Sequence, residues 1–346
     1  MRALTLQPGR QGSLVVEEVP DPAPKPGELL VRGLAMGVCG TDRELAAAAF
    51  GWPSRGRMIL GHESLGRVLE APARSGFSPG DLVVGVVRRP DPEPCPACAR
   101  DEFDMCRNGR YTERGIKELD GYGSELWTVE PGYAVPLDPA LEPVGMLIEP
   151  ASVVAKAWEH IERIGSRAWS EPRSVLVTGA GPIGLLAALL GRQRGLEVHV
   201  FDRATGGLKP ELVTALGGIY HSGSTLDAVG DLRPDIIIEA TGAGRLILDA
   251  MARTAAGGIV CLTGVSPSGP PLPVDVEKLN RDLVLTNSVV FGSVNGNQRH
   301  FRLAADALAA AELGWLERLI TRRLPLERAF EAFQPGTDDV KVVIDL

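Results

Sequence analysis

The sequence lacks several features that would assign it to common functional classes. No apolar run approaches the ~20 residues that a membrane-spanning helix needs. The first residues lead directly into a polar segment, without the apolar stretch of a secretory signal. An excess of positive charge is also missing: the formal net charge is −8, which argues against nucleic acid or an anionic membrane as a partner. We therefore expect a cytoplasmic protein that acts on a small molecule.

Cysteine is scarce and odd in number. The chain has 5 cysteines, three of which cluster at Cys95, Cys98 and Cys106. In a reducing compartment such a cluster indicates a metal site rather than disulfides. Cys261 lies within an apolar run instead, and we expect it to be a core residue of a buried strand.

The length and the residue patterns predict two domains. A chain of 346 residues exceeds the size at which a single core usually keeps growing. The part up to about Glu149 is rich in glycine and proline and has short apolar or alternating runs, which are typical of a small β-barrel with long loops. Residues 88–109, with four prolines and the cysteine cluster, form a lobe on it. Helical spacing of apolar residues over 151–164 predicts a helix that links the two domains.

A glycine-rich segment in the second part predicts a dinucleotide site. An apolar strand over 174–178 precedes Gly179-Ala180-Gly181-Pro182-Ile183-Gly184, and a helix over 183–192 follows it. The glycines allow a tight turn and close approach of the backbone to a pyrophosphate, and the helix N-terminus presents free N–H groups. Further strands are predicted over 197–201, 236–239, 259–263 and 288–291. Three residues in loops at strand ends should also contact the cofactor: Thr241, Gly264 and Val265.

The residues after the second strand bear on the choice of cofactor. Asp202 stands where a carboxylate accepts hydrogen bonds from the adenosine ribose, which favours NAD over NADP. Arg203 follows immediately, and a guanidinium there can bind a 2′-phosphate, so NADP remains an alternative.

Upstream of the glycines, a thiol, an imidazole and two carboxylates predict a catalytic zinc. Zinc that activates an alcohol takes about three protein ligands and keeps one position open. We expect Cys39, His62 and Glu149 to be the ligands, and Glu63 to orient them or to serve as an exchangeable fourth ligand. Each residue alone has a simpler interpretation, because a lone cysteine is more often a small buried side chain.

The order Cys39, His62-Glu63, Glu149-Pro150 and the glycine segment resembles the zinc-dependent medium-chain dehydrogenase/reductase superfamily. The resemblance extends to Gly66 and to the segment 80–84. It implies an α/β protein that combines a GroES-like β-barrel catalytic domain with a Rossmann doubly wound parallel sheet. The implied boundaries are 1–155 for the catalytic domain, 156–294 for the dinucleotide domain and 295–346 for a C-terminal segment that completes the catalytic domain. A homo-oligomer, a dimer or tetramer, is also implied.

Within the superfamily, three stretches resemble the glucose 1-dehydrogenase branch: 113–116 with 120–121, 148–150, and 294–296 with 300–301. The branch implies that Thr41, Glu113, Glu149 and Asn295 contact sugar hydroxyls, with Asn295 also near the cofactor. The simpler alternatives are a solvated loop charge for Glu113 and a turn residue for Asn295. His300 matches the branch pattern, and its contact with the site is left open.

Two further roles carry alternatives of their own. Thr41 is placed to relay a proton from the metal-bound oxygen, although its hydroxyl could instead cap a helix over 42–49. The cysteine lobe resembles the family's structural zinc site, but Pro92 occupies the position of the fourth thiolate. Asp91 or Glu93 could supply a carboxylate in its place, and the alternative is a lobe with free thiols.

Together these patterns predict an NAD(P)-dependent zinc enzyme that oxidises C1 of an aldose, glucose or a close epimer, to the lactone. A polyol or secondary-alcohol dehydrogenase with the same zinc site is the nearest alternative. A non-catalytic nucleotide-binding sensor is an alternative of a different class, which the cost of burying Cys39, His62, Glu63 and Glu149 without a metal argues against.

Overall fold

The structure is a computed structural model, and it describes residues 1–49, 51, 56–266, 270–334, 336 and 338–346. These residues divide into two units, Met1–Ser152 with Asn295–Leu346 and Val153–Val294. The division falls three residues before the boundary predicted after residue 155. A single helix, Ile148–Gly165, runs through both positions, so no change of backbone conformation marks the boundary.

The first unit is built mainly from β-strands. Its strands are β1 (Arg2–Leu6), β2 (Val15–Glu18), β3 (Leu29–Val38), β4 (Met58–Ile59), β5 (Glu63–Glu70), β6 (Leu82–Gly85), β7 (Arg88–Arg89), β8 (Thr112–Arg114), β9 (Glu118–Leu119), β10 (Leu126–Val129), β11 (Ala134–Pro136), β18 (Ile320–Pro325) and β19 (Lys341–Asp345).

The largest sheet of this unit has the order β11-β6-β5-β3-β19-β18, and β10 also pairs with β3. Strand β19 pairs antiparallel with β3, from Val342 opposite Val38 to Asp345 opposite Ala35. The C-terminal segment therefore completes the sheet of the N-terminal segment. Two smaller sheets have the orders β2-β1-β4 and β7-β8-β9.

Alternating apolar residues of these strands form the core of the unit. One cluster gathers Leu4, Met36, Leu60 and Ile344, which come from four separate segments and are fully buried. A second cluster packs around Tyr122 and Trp127, whose rings meet edge to face with centroids 4.8 Å apart. These contacts hold β3 and β5, the two strands that flank the candidate site, in fixed positions.

The helices of the first unit are α1 (Gly40–Ala46), α7 (Gln298–Ala309), α8 (Leu313–Glu317) and α9 (Ala329–Ala332), and α2 (Ile148–Gly165) begins in it. The prediction placed the start of α7 at Phe301, three residues late. The Asn297 side chain accepts hydrogen bonds from the backbone N–H groups of Arg299 and His300. That cap starts the helix before its first apolar residue.

The second unit is a parallel sheet with helices. Its elements are β12 (Ser174–Thr178), α3 (Pro182–Gln193), β13 (Glu197–Asp202), α4 (Leu208–Ala215), β14 (Ile219–Ser222), β15 (Ile236–Glu239), α5 (Gly244–Met251), β16 (Ile259–Leu262), α6 (Val276–Thr286) and β17 (Val289–Gly292).

The strand order β14-β13-β12-β15-β16-β17 is that of a doubly wound dinucleotide-binding sheet, with the direction of winding reversing between β12 and β15. The predicted Rossmann fold is confirmed.

Cys261 lies in β16 and is fully buried, as expected. Burial raises the pKa of its thiol to about 12.

One strand of this sheet is missing from the prediction. The strand is β14, which contains His221 and lies at the edge of the sheet. The four residues of β14 are half-buried or exposed, so they lack the apolar signal of the central strands.

Among the described residues, no helix has the length and apolar character required to cross a membrane.

Candidate active site

Cys39 stands at the junction between β3 and α1. It is the N-cap of α1, and its backbone N–H donates to the Asp42 carboxylate at 2.9 Å. The helix therefore begins at Gly40, and the predicted start at Asp42 with Thr41 as the capping residue is wrong. The Thr41 hydroxyl forms no hydrogen bond with the residues that the structure describes, so its role as a proton relay stays a prediction.

Asp42, for which no role was predicted from the sequence, forms an ion pair with His62. Its Oδ1 lies 3.2 Å from Nδ1 of His62, and the carboxylate is fully buried. The other imidazole nitrogen, Nε2, consequently points to Cys39 and lies 3.1 Å from its Sγ. Burial opposes charge on His62, but Asp42 and Cys39 outweigh it and hold the pKa of His62 well above its usual range. A carboxylate behind a metal-binding histidine is a common arrangement, because it sets the tautomer.

Glu63 forms a buried ion pair that the sequence did not reveal. Both of its carboxylate oxygens lie 2.6 Å from Nζ of Lys341, which comes from β19. Each side chain is only 2% exposed. Gly37 on β3 makes room for the pair, because a Cβ at that position would overlap the Glu63 carboxylate.

Glu149 lies in the first turn of α2, is half-buried, and is close enough to His62 and Glu63 to interact with their charges. Burial raises the pKa of its carboxyl to about 7, and the nearby charge of Glu63 adds to this effect, whereas His62 and Lys341 oppose it. A carboxyl in this condition gains most from a cation beside it. Its role as a metal ligand remains a prediction.

Three of the predicted donors converge in a way that fits zinc. Sγ of Cys39, a ring nitrogen of His62 and a carboxylate oxygen of Glu63 all lie within 4.8 Å of one another. A thiolate, an imidazole and a carboxylate are the donors that catalytic zinc sites use. The donor types and their convergence therefore fit the metal, beside the Glu63 carboxylate that Lys341 already pairs with.

A second buried cluster contains the residues predicted to bind sugar. Glu113, on β8, accepts a hydrogen bond from the Asn295 amide at 2.7 Å through its Oε1. The same oxygen lies 3.0 Å from both Nε and Nη2 of Arg88, on the neighbouring strand β7. Asn295 has a left-handed backbone, with φ of 63°. The solvated loop charge proposed as an alternative for Glu113 is wrong, because Glu113 is 8% exposed.

The two clusters are joined through the backbone. The segment that follows Glu113 lies against the residues that precede His62: Tyr122 N–H donates to the Gly61 carbonyl at 2.9 Å, and Gly123 N–H donates to Leu60 at 2.8 Å. A Cβ on Gly115 would overlap the Gly61 backbone. This close approach fixes Glu113 and His62 relative to each other.

The cysteine lobe holds a third cluster. The thiol sulfurs of Cys95, Cys98 and Cys106 lie within 4.8 Å of one another. Backbone N–H groups of Cys98 and Arg107 donate to Sγ of Cys95 at 3.5 and 3.3 Å, and these hydrogen bonds lower the pKa of the Cys95 thiol to about 6.

Of the two candidates for a fourth donor in the lobe, Asp91 is buried and Glu93 is exposed. One oxygen of Asp91 accepts from the Glu93 backbone at 2.8 Å, and the other lies 3.4 Å from Nε of Arg110. Neither carboxylate belongs to the group formed by the three thiols.

The glycine segment of the second unit has the geometry of a phosphate-binding turn. Gly179 follows β12 with φ of 93°, and Gly181 is the N-cap of α3. A Cβ on Gly184 would overlap the Gly179 carbonyl, so the helix packs directly on the turn. A Cβ on Gly181 would meet nothing within 4 Å, which leaves open space at the helix N-terminus beside Pro182 and Ile183. These residues fit a dinucleotide pyrophosphate.

Asp202, at the end of β13, braces that turn. Its carboxylate accepts hydrogen bonds from the backbone N–H groups of Ala180 at 2.7 Å and Ala204 at 3.0 Å. Lys209 Nζ lies 3.4 Å from both oxygens. Burial opposes the charge of Asp202, but these donors lower its pKa below the usual value. Arg203 is exposed and forms no ion pair with any described residue.

A fully buried carboxylate also organises the loops after β15 and β16. Glu239 accepts from the backbone N–H groups of Thr241 at 2.8 Å and Gly242 at 3.1 Å. Gly264 passes close to Gly242, leaving no room for a Cβ. The next residue, Val265, is 77% exposed. Val265 is an exposed apolar side chain at the carboxyl end of a parallel strand, which is where a cofactor ring could pack against it.

The remaining histidines lie outside the zinc donor set. His300 is fully buried, and its Nδ1 accepts from the Asn297 backbone at the start of α7. His199 lies 2.9 Å from His221 on the adjacent strand and 2.7 Å from Glu197. His160 lies on α2.

A β-sheet unit with a convergent Cys-His-Glu donor set, together with a doubly wound dinucleotide unit, defines the class of zinc-dependent medium-chain dehydrogenases/reductases. Residues 25–139 match the family described as alcohol dehydrogenase GroES-like domain, and residues 142–346 match the family described as glucose dehydrogenase C-terminus. The chain belongs to this glucose dehydrogenase family.

Individual relatives agree over the full length. Glucose 1-dehydrogenase of Methanocella arvoryzae is 42% identical, over 100% of this chain and 99% of that protein. The enzyme of the same name from Thermoproteus tenax is 40% identical over the same shares. Haloferax mediterranei glucose dehydrogenase, solved in complex with NADP, Zn and gluconolactone, superposes with a TM-score of 0.91 at 33% identity, covering 100% of this chain and 99% of that one.

Proposed function

We propose that this chain is a zinc-dependent NAD(P) oxidoreductase that oxidises C1 of an aldose, glucose or a close epimer, to the aldonolactone. The observation that carries the proposal is the pairing of two buried clusters in one unit. One is the Cys39, His62 and Glu63 donor set. The other is the Glu113–Asn295 pair, which offers a carboxylate and an amide to a polyhydroxylated ring. A simple alcohol has no use for the second cluster.

Each residue has a definite task in this reaction. Cys39, His62, and Glu63 or Glu149 would hold the zinc, and Asp42 keeps His62 in the tautomer that leaves Nε2 for the metal. Bound zinc supplies a Lewis acid that lowers the pKa of a hydroxyl. Thr41 passes the O1 proton toward solvent.

The ring must also be oriented. Glu113 accepts and Asn295 donates or accepts hydrogen bonds with the ring hydroxyls, so that C1 faces the nicotinamide that takes its hydride. Charged acceptors discriminate strongly against substrates that lack the matching hydroxyl, because a buried carboxylate is then left unpaired.

For the cofactor, the strand-end charges support use of both NAD and NADP. Asp202 stands at the strand end where the sequence predicts a ribose contact for NAD, and its carboxylate also accepts from the backbone of Ala180 and Ala204. Its charge is balanced by Lys209, however, and Arg203 is exposed next to it. The relative from Haloferax mediterranei binds NADP. A 2′-phosphate would therefore meet two cations and one already compensated anion.

We further propose that the cysteine lobe binds a structural zinc through Cys95, Cys98 and Cys106, with Asp91 as the fourth ligand. Asp91 is the better candidate, because its carboxylate is buried, whereas the Glu93 side chain is 80% exposed. Metal analysis should then find about two zinc ions per chain, and the Cys106→Ser variant should retain one. One zinc in both proteins would refute the lobe site.

The proposal also covers the cellular location and the oligomeric state. All five cysteines are free thiols, which supports a reducing, cytoplasmic location. A homo-oligomer is proposed from family membership, and the sedimentation velocity of the purified chain tests it.

The test of function is the formation of reduced nicotinamide by zinc-loaded protein with glucose, galactose, xylose, sorbitol and 2-propanol, each with NAD and NADP. Turnover of aldoses alone supports the proposal. Turnover of sorbitol or 2-propanol alone would replace it with a polyol or secondary-alcohol dehydrogenase. Nucleotide binding without turnover on any substrate would favour a sensor.

A further inference from the structure

Arg88 and Arg89 are adjacent on the short strand β7, and both are buried although arginine rarely is. The two side chains have different partners. Arg88 contacts Glu113 through Nε and Nη2 at 3.0 Å and stacks on Tyr111, with its guanidinium carbon 3.7 Å from the ring centroid. Arg89 contacts Glu130 at 3.0 Å and lies over Tyr133.

The guanidinium of Arg88 is held on every side. Its third nitrogen, Nη1, donates to the backbone carbonyl of Asp104 at 2.9 Å. With Glu113 in front and Tyr111 on its face, the planar group has a single orientation. Burying the charge of Arg88 costs desolvation free energy, and the ion pair with Glu113 offsets that cost.

The donors that contact Glu113 all reach the same carboxylate oxygen. Oε1 receives Nε and Nη2 of Arg88 and the Asn295 amide, whereas Oε2 accepts no hydrogen bond from the residues that the structure describes. The carboxylate is thus clamped through one oxygen, and the other is left with its lone pairs for a donor from outside. Sugar hydroxyls are donors of that kind.

We propose that Arg88 is a positioning residue for sugar recognition: it clamps Oε1 of Glu113 so that Oε2 presents a fixed acceptor to a ring hydroxyl. The inference rests on the proposed function and assigns to it a residue that does not itself touch the substrate. The two neighbouring arginines then have different roles: Arg88 positions Glu113 for the sugar, and Arg89 contributes to the packing of the unit.

The experiment compares steady-state kinetics of zinc-loaded wild type with Arg88→Met, Arg88→Lys, Glu113→Gln and the double variant Arg88→Met/Glu113→Gln. Arg88→Met should raise the KM for glucose about 10- to 100-fold, while kcat changes less than about 5-fold, because ground-state contacts to the ring are lost. Arg88→Lys keeps the charge but loses the two-nitrogen contact, and it should raise KM about 5-fold or more.

The double variant decides whether Arg88 acts through Glu113. If it does, Arg88→Met should change KM less than about 2-fold in the Glu113→Gln background. Arg89→Met is the matched control: it should lower the unfolding temperature and leave KM unchanged.

Three results would overturn the inference: an unchanged KM in both Arg88 variants, an undiminished effect in the Glu113→Gln background, or an equal rise of KM in Arg89→Met. If Arg88→Met does not fold, Arg88→Lys alone decides on the same KM criterion. Failure of wild type to oxidise any aldose would refute the proposed function itself, and it is distinguishable because it needs no variant.

Discussion

The Lys341–Glu63 pair leads to a sharp prediction for stability. Replacing Lys341 with Met removes the ammonium group and keeps a side chain of similar volume. Both Glu63 oxygens then lose a partner at 2.6 Å in a site where each side chain is 2% exposed. Breaking a buried pair by removing one member costs about 3 to 5 kcal/mol, because the remaining charge is uncompensated. For a unit of this size, we expect a drop in unfolding temperature on the order of 10 °C.

Zinc should change that magnitude. In the metal-free protein Lys341 is the cation closest to Glu63, and the attraction of Glu63 outweighs the effect of burial and raises the pKa of Lys341. A zinc ion at Cys39, His62 and Glu63 would supply a second positive charge. The variant should therefore lose less stability in the zinc-loaded protein than in chelator-treated protein.

The assay is urea unfolding with and without a chelator, analysed by linear extrapolation. Adding Glu63→Gln to Lys341→Met should restore most of the lost stability, because no charge is then left unpaired. Lys156→Met is the matched control: Lys156 is equally buried but donates to the Val294 carbonyl, so Glu63→Gln should not rescue it. A loss below about 1 kcal/mol in metal-free Lys341→Met, or no rescue by Glu63→Gln, would refute the reasoning.

Two further predictions concern the dinucleotide unit. Lys209→Met should lower kcat/KM for NADP about 10-fold and for NAD less than about 3-fold, because Lys209 balances the charge of Asp202 beside the 2′-phosphate; equal losses with both cofactors would contradict it. Burial and the neighbouring His199 lower the pKa of His221. His221 therefore binds a proton more readily in the unfolded state, and the free energy of unfolding should decrease as the pH drops below about 6.5. Unfolding temperatures from pH 8 to 5 should show a shallower fall for His221→Gln, and an identical fall would remove His221 from the account.

The elements that the sequence predicted well are those with strong local patterns. The strand over 174–178 and the strand over 236–239 have the predicted bounds, because continuous apolar runs flanked by turn residues identify buried parallel strands. The edge strand β14 was missed because half-exposed residues carry no such pattern. Helix starts were displaced where a polar cap, such as Asn297, lies before the first apolar residue.

The site residues that could ligate a metal were predictable from their residue types. The residues that pair with those side chains across the fold were not. Cys39, His62 and Glu63 could be singled out because their types suit zinc. Lys341 could not, since it pairs with a residue 278 positions away. Arg88 was missed for a similar reason, because only the fold sets it against Glu113. Asp42 alone left a local signal: an acid three residues after Cys39 is placed to accept from its backbone.

Oxidation at C1 of an aldose can be observed by analysing the product. Glucose labelled with ¹³C at C1 should be incubated with zinc-loaded protein and NADP, and followed by NMR together with the absorbance of the reduced cofactor. We expect the anomeric signal to be converted to a lactone or carboxylate carbon, with one reduced cofactor formed per sugar. Reduced cofactor formed while the anomeric signal persists would place oxidation at another carbon and refute oxidation at C1.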